Sequence, residues 1–204
     1  MRREIRISGF GGQGIGLAGY VLGRALSLYA GLEAVMTQAY GPEARGGASS
    51  ADIVASDELI DYPFVGHPDI LVALSQEAYA RFRPIARPDA LILIDAELIN
   101  PLPEDAVHAI PATRIADELG ERMAANMVIL GFFTAVTGLL TPDAMRQSIE
   151  TSVKAKTAPL NIRAFEAGLA YSATATADLA GSSGLAGRHG HRNSLDADLR
   201  GFRG

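Results

Sequence analysis

The chain has 204 residues, a hydrophobic share of 48% and a formal net charge of −5 at pH 7. This length allows one buried core, and the mild negative charge argues against a disordered protein or one that coats nucleic acid. The absence of cysteine excludes disulfides, thiolate zinc sites and iron–sulfur clusters bound by cysteines of this chain. The N-terminus MRREIRISGF lacks the apolar run of a signal peptide, so we expect a cytoplasmic protein.

The first half of the chain predicts short strands that alternate with helices. Apolar runs of strand length cover residues 5–8, 33–37, 50–55, 69–74 and 90–95. Apolar residues at helical spacing follow the first run and predict a helix that ends at Gly31, a natural C-terminal cap. Ser75 is placed to cap a second helix. The last two runs are continuously aliphatic, which is typical of strands covered on both faces. The pattern predicts a single α/β domain, Rossmann-like, with a mainly parallel sheet flanked by helices.

An uncharged stretch at residues 123–140, MAANMVILGFFTAVTGLL, is close to the length of a membrane helix. Asn126, Thr134 and several glycines interrupt it, and a buried helix can also be apolar all round. We therefore expect a buried helix and no membrane span. Thr141 and Pro142 then provide a cap and a first helical residue for the next helix, and a final helix is predicted at about residues 160–175.

The C-terminal segment differs in composition from the rest of the chain. From residue 178 it is rich in Gly, Ser and Arg and has no hydrophobic periodicity. We therefore predict one domain at residues 1–177 and a flexible, disordered tail at residues 178–204. His189 and His191 lie in this tail, where solvated side chains are expected rather than a metal site.

A glycine-rich loop, GFGGQG at residues 9–14, follows the first strand and opens the first helix. This context fits the dinucleotide-binding fingerprint, because glycines allow a close backbone approach and the helix N-terminus favours an anion. That fold also needs an acidic residue at the end of the second strand, which here reads Met36-Thr37-Gln38. Three interpretations stay open at this point: a dinucleotide site, a site for another phosphate, and a purely structural turn.

A second loop, at residues 38–50, follows the second strand. The carboxyl ends of parallel strands share one edge of a sheet, so we expect this loop to lie beside the glycine loop. It offers the hydroxyl of Tyr40 and the planar guanidinium of Arg45, which suits a carboxylate or a phosphate. An ion pair between Arg45 and Glu43 that only fixes the loop is the alternative.

Several segments together resemble the gamma subunit of 2-oxoacid:ferredoxin oxidoreductases. In chain order they read SGFGGQGI, TQAYGPEARGGASSADIVASDELIDYP, HPDILVALSQEAY, NMVILG and NIRAFEAG, within residues 4–172. The joint presence of GGQG and YGPEARGG is more specific than a glycine loop alone. YGPEARGG with SDELIDYP most resembles 2-oxoglutarate-type enzymes; pyruvate, branched-chain and indolepyruvate members are the alternatives.

The resemblance implies a subunit of an enzyme that converts 2-oxoglutarate and coenzyme A to succinyl-CoA and reduces ferredoxin. It implies thiamine diphosphate and iron–sulfur clusters in partner chains, namely thiamine-binding alpha and beta subunits and a ferredoxin-like subunit or ferredoxin. This chain has neither cysteine nor a thiamine-type GDG…N motif. It is therefore not expected to bind these cofactors or to be catalytic alone.

The resemblance also implies site residues near coenzyme A, with no catalytic residue and no metal in this chain. The cleft is expected to be bordered by Gly11, Gly12, Gln13 and Gly14, with Tyr40, Glu43, Arg45 and Gly46 as its second wall or a subunit contact. A coenzyme A phosphate would bind the helix N-terminus and Arg45.

Other predictions concern residues near this cleft. Asn126 either reaches toward the active site or is buried and satisfied by backbone, and the apolar helix around it is expected to pack against a neighbouring subunit. Asp95 is predicted to be a structural turn or cap residue. A free-standing nucleotide-dependent oxidoreductase and a scaffold whose glycine loop only allows tight packing remain as alternative functions.

Overall fold

The structure is a computed structural model that describes residues 1–39 and 48–185, with side chains as far as residue 172. The predicted site residues Tyr40, Glu43, Arg45 and Gly46 lie outside the described residues. Residues 186–204, most of the predicted tail, also lie outside them.

Strands and helices alternate along most of the described chain. The strands are β1 (Arg2–Phe10), β2 (Glu33–Ala39), β3 (Ala48–Ser56), β4 (Ile70–Ala73), β5 (Leu91–Asp95) and β6 (Val107–Ile110). The helices are α1 (Ile15–Arg24), α2 (Gln76–Phe82), α3 (Ala112–Glu118), α4 (Ala125–Thr137), α5 (Pro142–Ser152) and α6 (Ala158–Leu185). A π-helical turn at Ala25–Tyr29 extends α1, and a 3-10 turn at Arg122–Ala124 leads into α4.

The six strands form one sheet in the order β2-β3-β1-β4-β5-β6. Strands β1, β4, β5 and β6 pair in parallel, whereas β3 pairs antiparallel with both β1 and β2. All described strands except β3 therefore point the same way, which confirms the predicted α/β domain with a mainly parallel sheet. The reversed strand β3 separates β1 from β2, which are adjacent in a dinucleotide-binding sheet.

The sheet has a hydrophobic core on each face. Alternation along β1 places Ile5 and Ile7 on the face covered by α1, α4, α5 and α6. Arg6 points to the opposite face, where its guanidinium stacks 4.9 Å from the ring centroid of Phe82 in α2. The charge of Arg6 is balanced there by Asp52, whose carboxylate accepts a hydrogen bond of 2.7 Å from Arg6 Nε. The helical layer over the first face forms one wall of the site described below.

The predicted cap residues act as expected. Ser75 Oγ accepts a hydrogen bond from the Ala78 N–H, and Thr141 Oγ1 accepts one from the Ala144 N–H, each at 3.2 Å. Gly31 ends the first helical segment with φ +71°, a conformation that few residues other than glycine adopt. The helix ends that the sequence predicted from Ser75, Thr141 and Gly31 are thus confirmed.

Helix α4 contains most of the uncharged stretch and is buried by its own chain. Its residues Asn126–Thr134 are all buried, and α6 packs across it at very short distance. A Cβ added at Gly131 would lie 2.0 Å from the Phe165 carbonyl oxygen, and one at Gly168 would lie 1.9 Å from the Val128 carbonyl oxygen. The predicted packing of this helix against a neighbouring subunit is therefore wrong, because α6 covers it. Among the described residues, no helix has the length and hydropathy needed to cross a bilayer.

Two elements are absent from the sequence-based prediction, and one is longer than predicted. Strand β6 has only four residues, and its partial exposure weakens the apolar pattern; α3 follows it directly. Helix α6 begins at Ala158 and continues to Leu185, past the predicted end near residue 175. The described part of the segment predicted as a tail is therefore helical.

Candidate functional site

The glycine loop lies where β1 ends and α1 begins, at the edge that holds the carboxyl ends of the parallel strands. At this edge Phe10 pairs with Ala48, and Ala39 pairs with Ser50. The connection from β2 to β3 therefore leaves and re-enters the sheet beside the glycine loop. The Ser49 hydroxyl also donates a hydrogen bond of 3.3 Å to the Gly9 carbonyl. These strand ends fit the prediction that the two loops share one edge.

The middle of the glycine loop is exposed. A Cβ added at Gly11 or Gly12 would meet no described atom within 4 Å. Gly12 has φ +100°, which strains any other residue, whereas Gly11 has no such constraint. The backbone of Gly11 is therefore open to a ligand or a partner, and the described fold does not itself require a glycine there.

Gln13 fixes the shape of this loop through its side-chain amide. Its Oε1 accepts a hydrogen bond of 2.7 Å from the Phe10 N–H, and its Nε2 donates one of 2.8 Å to the Leu74 carbonyl. Because β1 and β4 are adjacent, Gln13 connects the ends of two parallel strands to the loop. The geometry gives Gln13 a positioning role, and its predicted contact with a cofactor remains a prediction.

Gly14 and Asn126 meet at the start of α1. The Asn126 side chain is 3% exposed, and its Nδ2 donates a hydrogen bond of 3.2 Å to the Gly14 carbonyl. A Cβ at Gly14 would lie 2.3 Å from that nitrogen, and Gly14 has φ +71°. The fold itself therefore requires glycine at this position. The predicted backbone partner of Asn126 is thus present, but its Oδ1 is buried without a partner among the described residues.

A pocket of about 410 Å³ opens beside this contact. The start of α1, the turn leading into α4 and the connection between α5 and α6 enclose it. Its walls include the apolar side chains of Leu17, Met123 and Leu160. Its polar groups include Asn126, Ser152 and Lys154, and Ser152 Oγ is a second buried atom without a partner among the described residues.

Two cationic side chains near the glycine loop had no signal in the sequence. Lys154 lines the larger pocket, and Arg122 lines a neighbouring cavity of about 90 Å³ together with Gln13. Both residues come from connections in the second half of the chain, far from the glycine motif. Only the packing of α4, α5 and α6 onto the sheet brings them to this edge, so no local pattern predicts them.

Asp95 has the structural role that its position predicted. It is fully buried, and its Oδ2 accepts hydrogen bonds from the Thr113 N–H at 2.8 Å and the Thr113 hydroxyl at 2.6 Å. Its Oδ1 accepts a third bond, from the Glu97 N–H at 3.0 Å. Asp95 therefore holds the start of α3 against the end of β5.

A second polar cluster lies on the α2 face, outside both pockets. Asp105 accepts hydrogen bonds from Arg83 Nε at 2.8 Å and from the Tyr79 hydroxyl. The bond from Arg83 lowers the pKa of Asp105, and burial followed by the bond to Asp105 raises the pKa of Tyr79. These side chains satisfy one another's hydrogen bonds and connect α2 to the loop before β6, so the cluster stabilises the fold.

Comparison with curated proteins identifies relatives, one of similar length and one much longer. The 2-oxoglutarate synthase subunit KorC of Methanocaldococcus jannaschii is 47% identical over 173 residues, which cover 82% of this chain and 92% of that protein. The ketoisovalerate oxidoreductase subunit VorA of Methanothermobacter thermautotrophicus is 37% identical, and the match covers 81% of this chain and 35% of that protein.

Solved structures share the fold. The gamma subunit of a keto/oxoacid ferredoxin oxidoreductase from Geobacter sulfurreducens matches with a TM-score of 0.77 and 34% identity, over 85% of this chain and 98% of that chain. A 2-oxoglutarate:ferredoxin oxidoreductase from Magnetococcus marinus, solved with 2-oxoglutarate, coenzyme A and succinyl-CoA bound, matches with a TM-score of 0.71 over 85% of this chain and 31% of that chain. Its 22% identity supports the fold alone.

The family model of pyruvate ferredoxin/flavodoxin oxidoreductase matches residues 4–171, nearly the whole described chain. This range contains the glycine loop, Asn126 and the start of α6, which together form the candidate site. The resemblance that the sequence motifs indicated is thereby confirmed. The chain belongs to the pyruvate ferredoxin/flavodoxin oxidoreductase family.

Proposed function

We propose that this chain is the gamma subunit of a cytoplasmic 2-oxoacid:ferredoxin oxidoreductase that acts on 2-oxoglutarate. The reaction decarboxylates 2-oxoglutarate, transfers the succinyl group to coenzyme A and passes two electrons to ferredoxin. Thiamine-binding alpha and beta subunits and a ferredoxin-like subunit or ferredoxin carry the thiamine diphosphate and the iron–sulfur clusters. The observation that carries this proposal is the 47% identity to a KorC subunit over 92% of its length.

The preference for 2-oxoglutarate is supported by the ranking of the relatives. Identity is 47% to the 2-oxoglutarate synthase subunit and 37% to the ketoisovalerate oxidoreductase subunit. Because the gamma subunit carries neither thiamine nor clusters in this proposal, substrate choice belongs mainly to its partners. Branched-chain 2-oxoacids, pyruvate and indolepyruvate are therefore the competing substrates to test.

The proposed contribution of this chain is a wall of the cleft through which coenzyme A approaches. Gly11 and Gly12 present exposed backbone at the start of α1, where the helix dipole favours an anion. No acidic residue lies in the first turn of α1, and no side chain caps it. Lys154 adds positive charge nearby, whereas the charge of Arg122 is paired with Asp117 at 3.2 Å. We assign Arg45 and Gly46 of the β2–β3 connection to the same anion. The role is orientation of the coenzyme A thiol, without a catalytic group from this chain.

An anaerobic affinity purification of this chain from its native cells tests the proposal. The co-purifying chains are identified by mass spectrometry, and the complex is assayed for coenzyme A-dependent viologen reduction with each candidate 2-oxoacid. We expect thiamine- and cluster-bearing partners, with the highest kcat/KM on 2-oxoglutarate. Recovery of the chain alone, without activity, would contradict the subunit assignment. Recovery of a complex that prefers another 2-oxoacid would contradict only the substrate assignment.

A further inference from the structure

We infer that the loop between β3 and β4, residues 57–69, is a docking surface for another subunit of the enzyme complex. The loop contains most of the segment SDELIDYP, residues 56–63, which the proposed coenzyme A cleft does not include. The partner surface that fits it is an apolar pocket with a basic rim. Such a partner exists only if the chain belongs to a multisubunit enzyme, so the inference rests on the proposed function.

The β3–β4 loop lies at the opposite end of the sheet from the glycine loop. Arg2, the first residue of β1, pairs with Ser56 at the end of β3, whereas Phe10 at the other end of β1 pairs with Ala48. The β3–β4 loop therefore starts beside the amino end of β1, and the glycine loop starts at its carboxyl end. The length of β1 separates these two ends by about 25 Å. A partner can therefore bind the β3–β4 loop without filling the candidate cleft.

Large apolar side chains are concentrated on the surface of this loop. Leu59 is 86% exposed, Tyr62 is 59% exposed and Phe64 is 55% exposed. The rings of Tyr62 and Phe64 meet edge to face with their centroids 5.6 Å apart. Ile85, also exposed, lies beside the loop, because its carbonyl oxygen is 2.9 Å from His67 Nδ1. These are four of the eleven large apolar side chains that are exposed in the described chain, and such a concentration is typical of a protein contact.

The backbone that carries these side chains is fixed by side chains of β1. Arg2 donates a hydrogen bond of 2.9 Å to the Tyr62 carbonyl, and the buried Arg6 donates one of 3.3 Å to the Val65 carbonyl. Glu4 Oε2 accepts a hydrogen bond of 2.9 Å from the next backbone N–H along the loop. The shape of the loop is therefore set before a partner binds, which lowers the entropy cost of docking.

Two carboxylates make this surface acidic. Glu58 and Asp61, on either side of Leu59 in the chain, are exposed and form no ion pair with another described residue. The remaining charges near the loop cancel in number: Asp57 lies against the amino group of Met1, Arg2 against Glu4, and Arg3 and Arg87 near Asp69 and Asp89. Glu58 and Asp61 are therefore left as an unbalanced acidic rim beside the apolar side chains.

The acidic rim selects the class of partner. A second copy of this chain, docked by the same surface across a two-fold axis, would bring two acidic rims together, which is unfavourable. An anionic membrane or a nucleic acid would be repelled in the same way. A protein surface with Lys or Arg around an apolar pocket matches both features. The exposed rings would fill the pocket, and Glu58 and Asp61 would form ion pairs at its edge.

The first test measures the Kd between the full chain and the other subunits of the complex, purified separately. Tyr62→Ser combined with Phe64→Ser removes both rings and keeps the backbone hydrogen bonds of the loop. Because the rings are exposed, the melting temperature of the chain should not change, whereas the Kd should rise about a hundredfold. Leu28→Ser is the matched control: Leu28 is 57% exposed but lies in the π-helical turn after α1, and its Kd should stay within about twofold of the wild type.

The second test removes the acidic rim. Glu58→Gln combined with Asp61→Asn should slow association with the partner subunits about tenfold at low ionic strength. The difference from the wild type should nearly vanish at about 0.5 M salt, because exposed charges are then screened within about 4 Å. Glu150→Gln, which removes an exposed carboxylate of α5, should leave the association rate unchanged. Equal effects of these variants would contradict the charge match.

The outcomes separate the docking surface from the proposed function. If the wild-type chain binds its partners and the double ring variant binds them equally well, the docking surface is overturned and the proposed function stands. If the wild-type chain binds no other subunit, both are overturned. Self-association of the wild-type chain that is lost in the ring variant would assign the patch to a second copy and overturn the assignment to another subunit. At saturating concentrations the ring variant should keep the wild-type KM for coenzyme A, because the cleft lies at the other end of the sheet.

Photo-cross-linking in the assembled complex tests for direct contact. Tyr62 is replaced by benzoylphenylalanine, and the cross-linked peptides are identified by mass spectrometry after irradiation. We expect a cross-link to another subunit, at a segment that contains Lys or Arg together with apolar residues. No cross-link, or one to a segment without basic residues, would overturn the inferred docking surface.

Discussion

Gln13 shows how one side chain determines the shape of the glycine loop. Its amide uses both of its polar atoms on backbone groups, the Phe10 N–H and the Leu74 carbonyl. A glutamine within a glycine motif invites a ligand-binding interpretation, and the sequence alone does not exclude it. The geometry favours a positioning role, because the side chain connects the loop to two adjacent strands.

Replacement of Gln13 by methionine should therefore lower the local stability of the glycine loop more than the stability of the whole fold. Two hydrogen bonds are lost while the volume is kept, so we expect the free energy of unfolding to fall by about 1–2 kcal/mol. Amide hydrogen exchange should become faster at Phe10 by a larger factor than at Ile7, in the middle of β1, where only the change in global stability contributes. Unchanged exchange at Phe10 would show that the loop does not depend on Gln13.

Asp105 carries the clearest pH dependence in the described chain. Hydrogen bonding from Arg83 lowers the pKa of Asp105 below its ordinary value of 3.8. The folded state therefore binds the proton more weakly than the unfolded state does. The stability from this group is fully present above about pH 4 and is lost as the pH falls through the lowered folded-state pKa.

The variant Asp105→Asn should lower the free energy of unfolding at pH 7 by about 2 kcal/mol, since it replaces a charge-assisted network whose acceptor is 2% exposed. The difference from the wild type should shrink as the pH is lowered below 4, as measured by urea unfolding at several pH values. Asp143→Asn is the control: its side chain is 80% exposed, and we expect a change within about 0.5 kcal/mol. A difference independent of pH would contradict the linkage.

At the scale of elements, the contact between α4 and α6 is set by two glycines. Gly131 lies against the backbone of α6 at Phe165, and Gly168 lies against the backbone of α4 at Val128. Each helix therefore presents a glycine to a carbonyl of the other, which permits a closer approach than any side chain would allow. This contact places the start of α6, and with it the pocket, next to α4.

Gly131→Ala should force the two helices apart, since the added methyl would meet backbone atoms that cannot rotate away. We expect a loss of about 3 kcal/mol in the free energy of unfolding. Gly23→Ala in α1 is the matched control, because its added Cβ would lie 3.9 Å from Met36 Cβ. There we expect no loss and a gain of up to about 1 kcal/mol from helix propensity. Equal effects of the two substitutions would contradict the close-packing argument.

At the scale of the whole molecule, the candidate site is open on the side of the glycine loop that faces away from the core. Gly11 is exposed, and a side chain there meets no described atom within 4 Å. Gly14, by contrast, is constrained by Asn126 and by its positive φ. Substitution of Gly11 therefore probes the surface, whereas substitution of Gly14 would probe the fold.

Gly11→Leu should leave the melting temperature of the chain unchanged. If the loop lines the coenzyme A cleft, the assembled enzyme should show a KM for coenzyme A raised about tenfold, about 1.4 kcal/mol, with its partners retained. Gly66→Leu, at an exposed glycine near the start of β1, should change neither property. Loss of assembly in Gly11→Leu with an unchanged melting temperature would instead favour a scaffold role for the loop.

Local patterns in the sequence determined most of the fold. The aliphatic runs of β4 and β5 predicted buried parallel strands, and Ser75, Thr141 and Gly31 marked helix ends, because these signals act within a few residues. Four-residue β6 was missed, since a short and partly exposed strand has little periodicity. The motif GGQG placed the glycine loop correctly for the same local reason.

Long-range packing decided the remaining features. The reversed direction of β3 depends on pairing with β1 and β2, and the burial of α4 by α6 depends on two glycines that are 37 residues apart in the numbering, Gly131 and Gly168. Asn126, Ser152 and Lys154 meet beside Gly14 only after α4, α5 and α6 have packed on the sheet. The sequence by itself determined most of the elements, the glycine loop and the family. Only the tertiary structure decided which side chains surround the pocket, because no local pattern encodes contacts between distant segments.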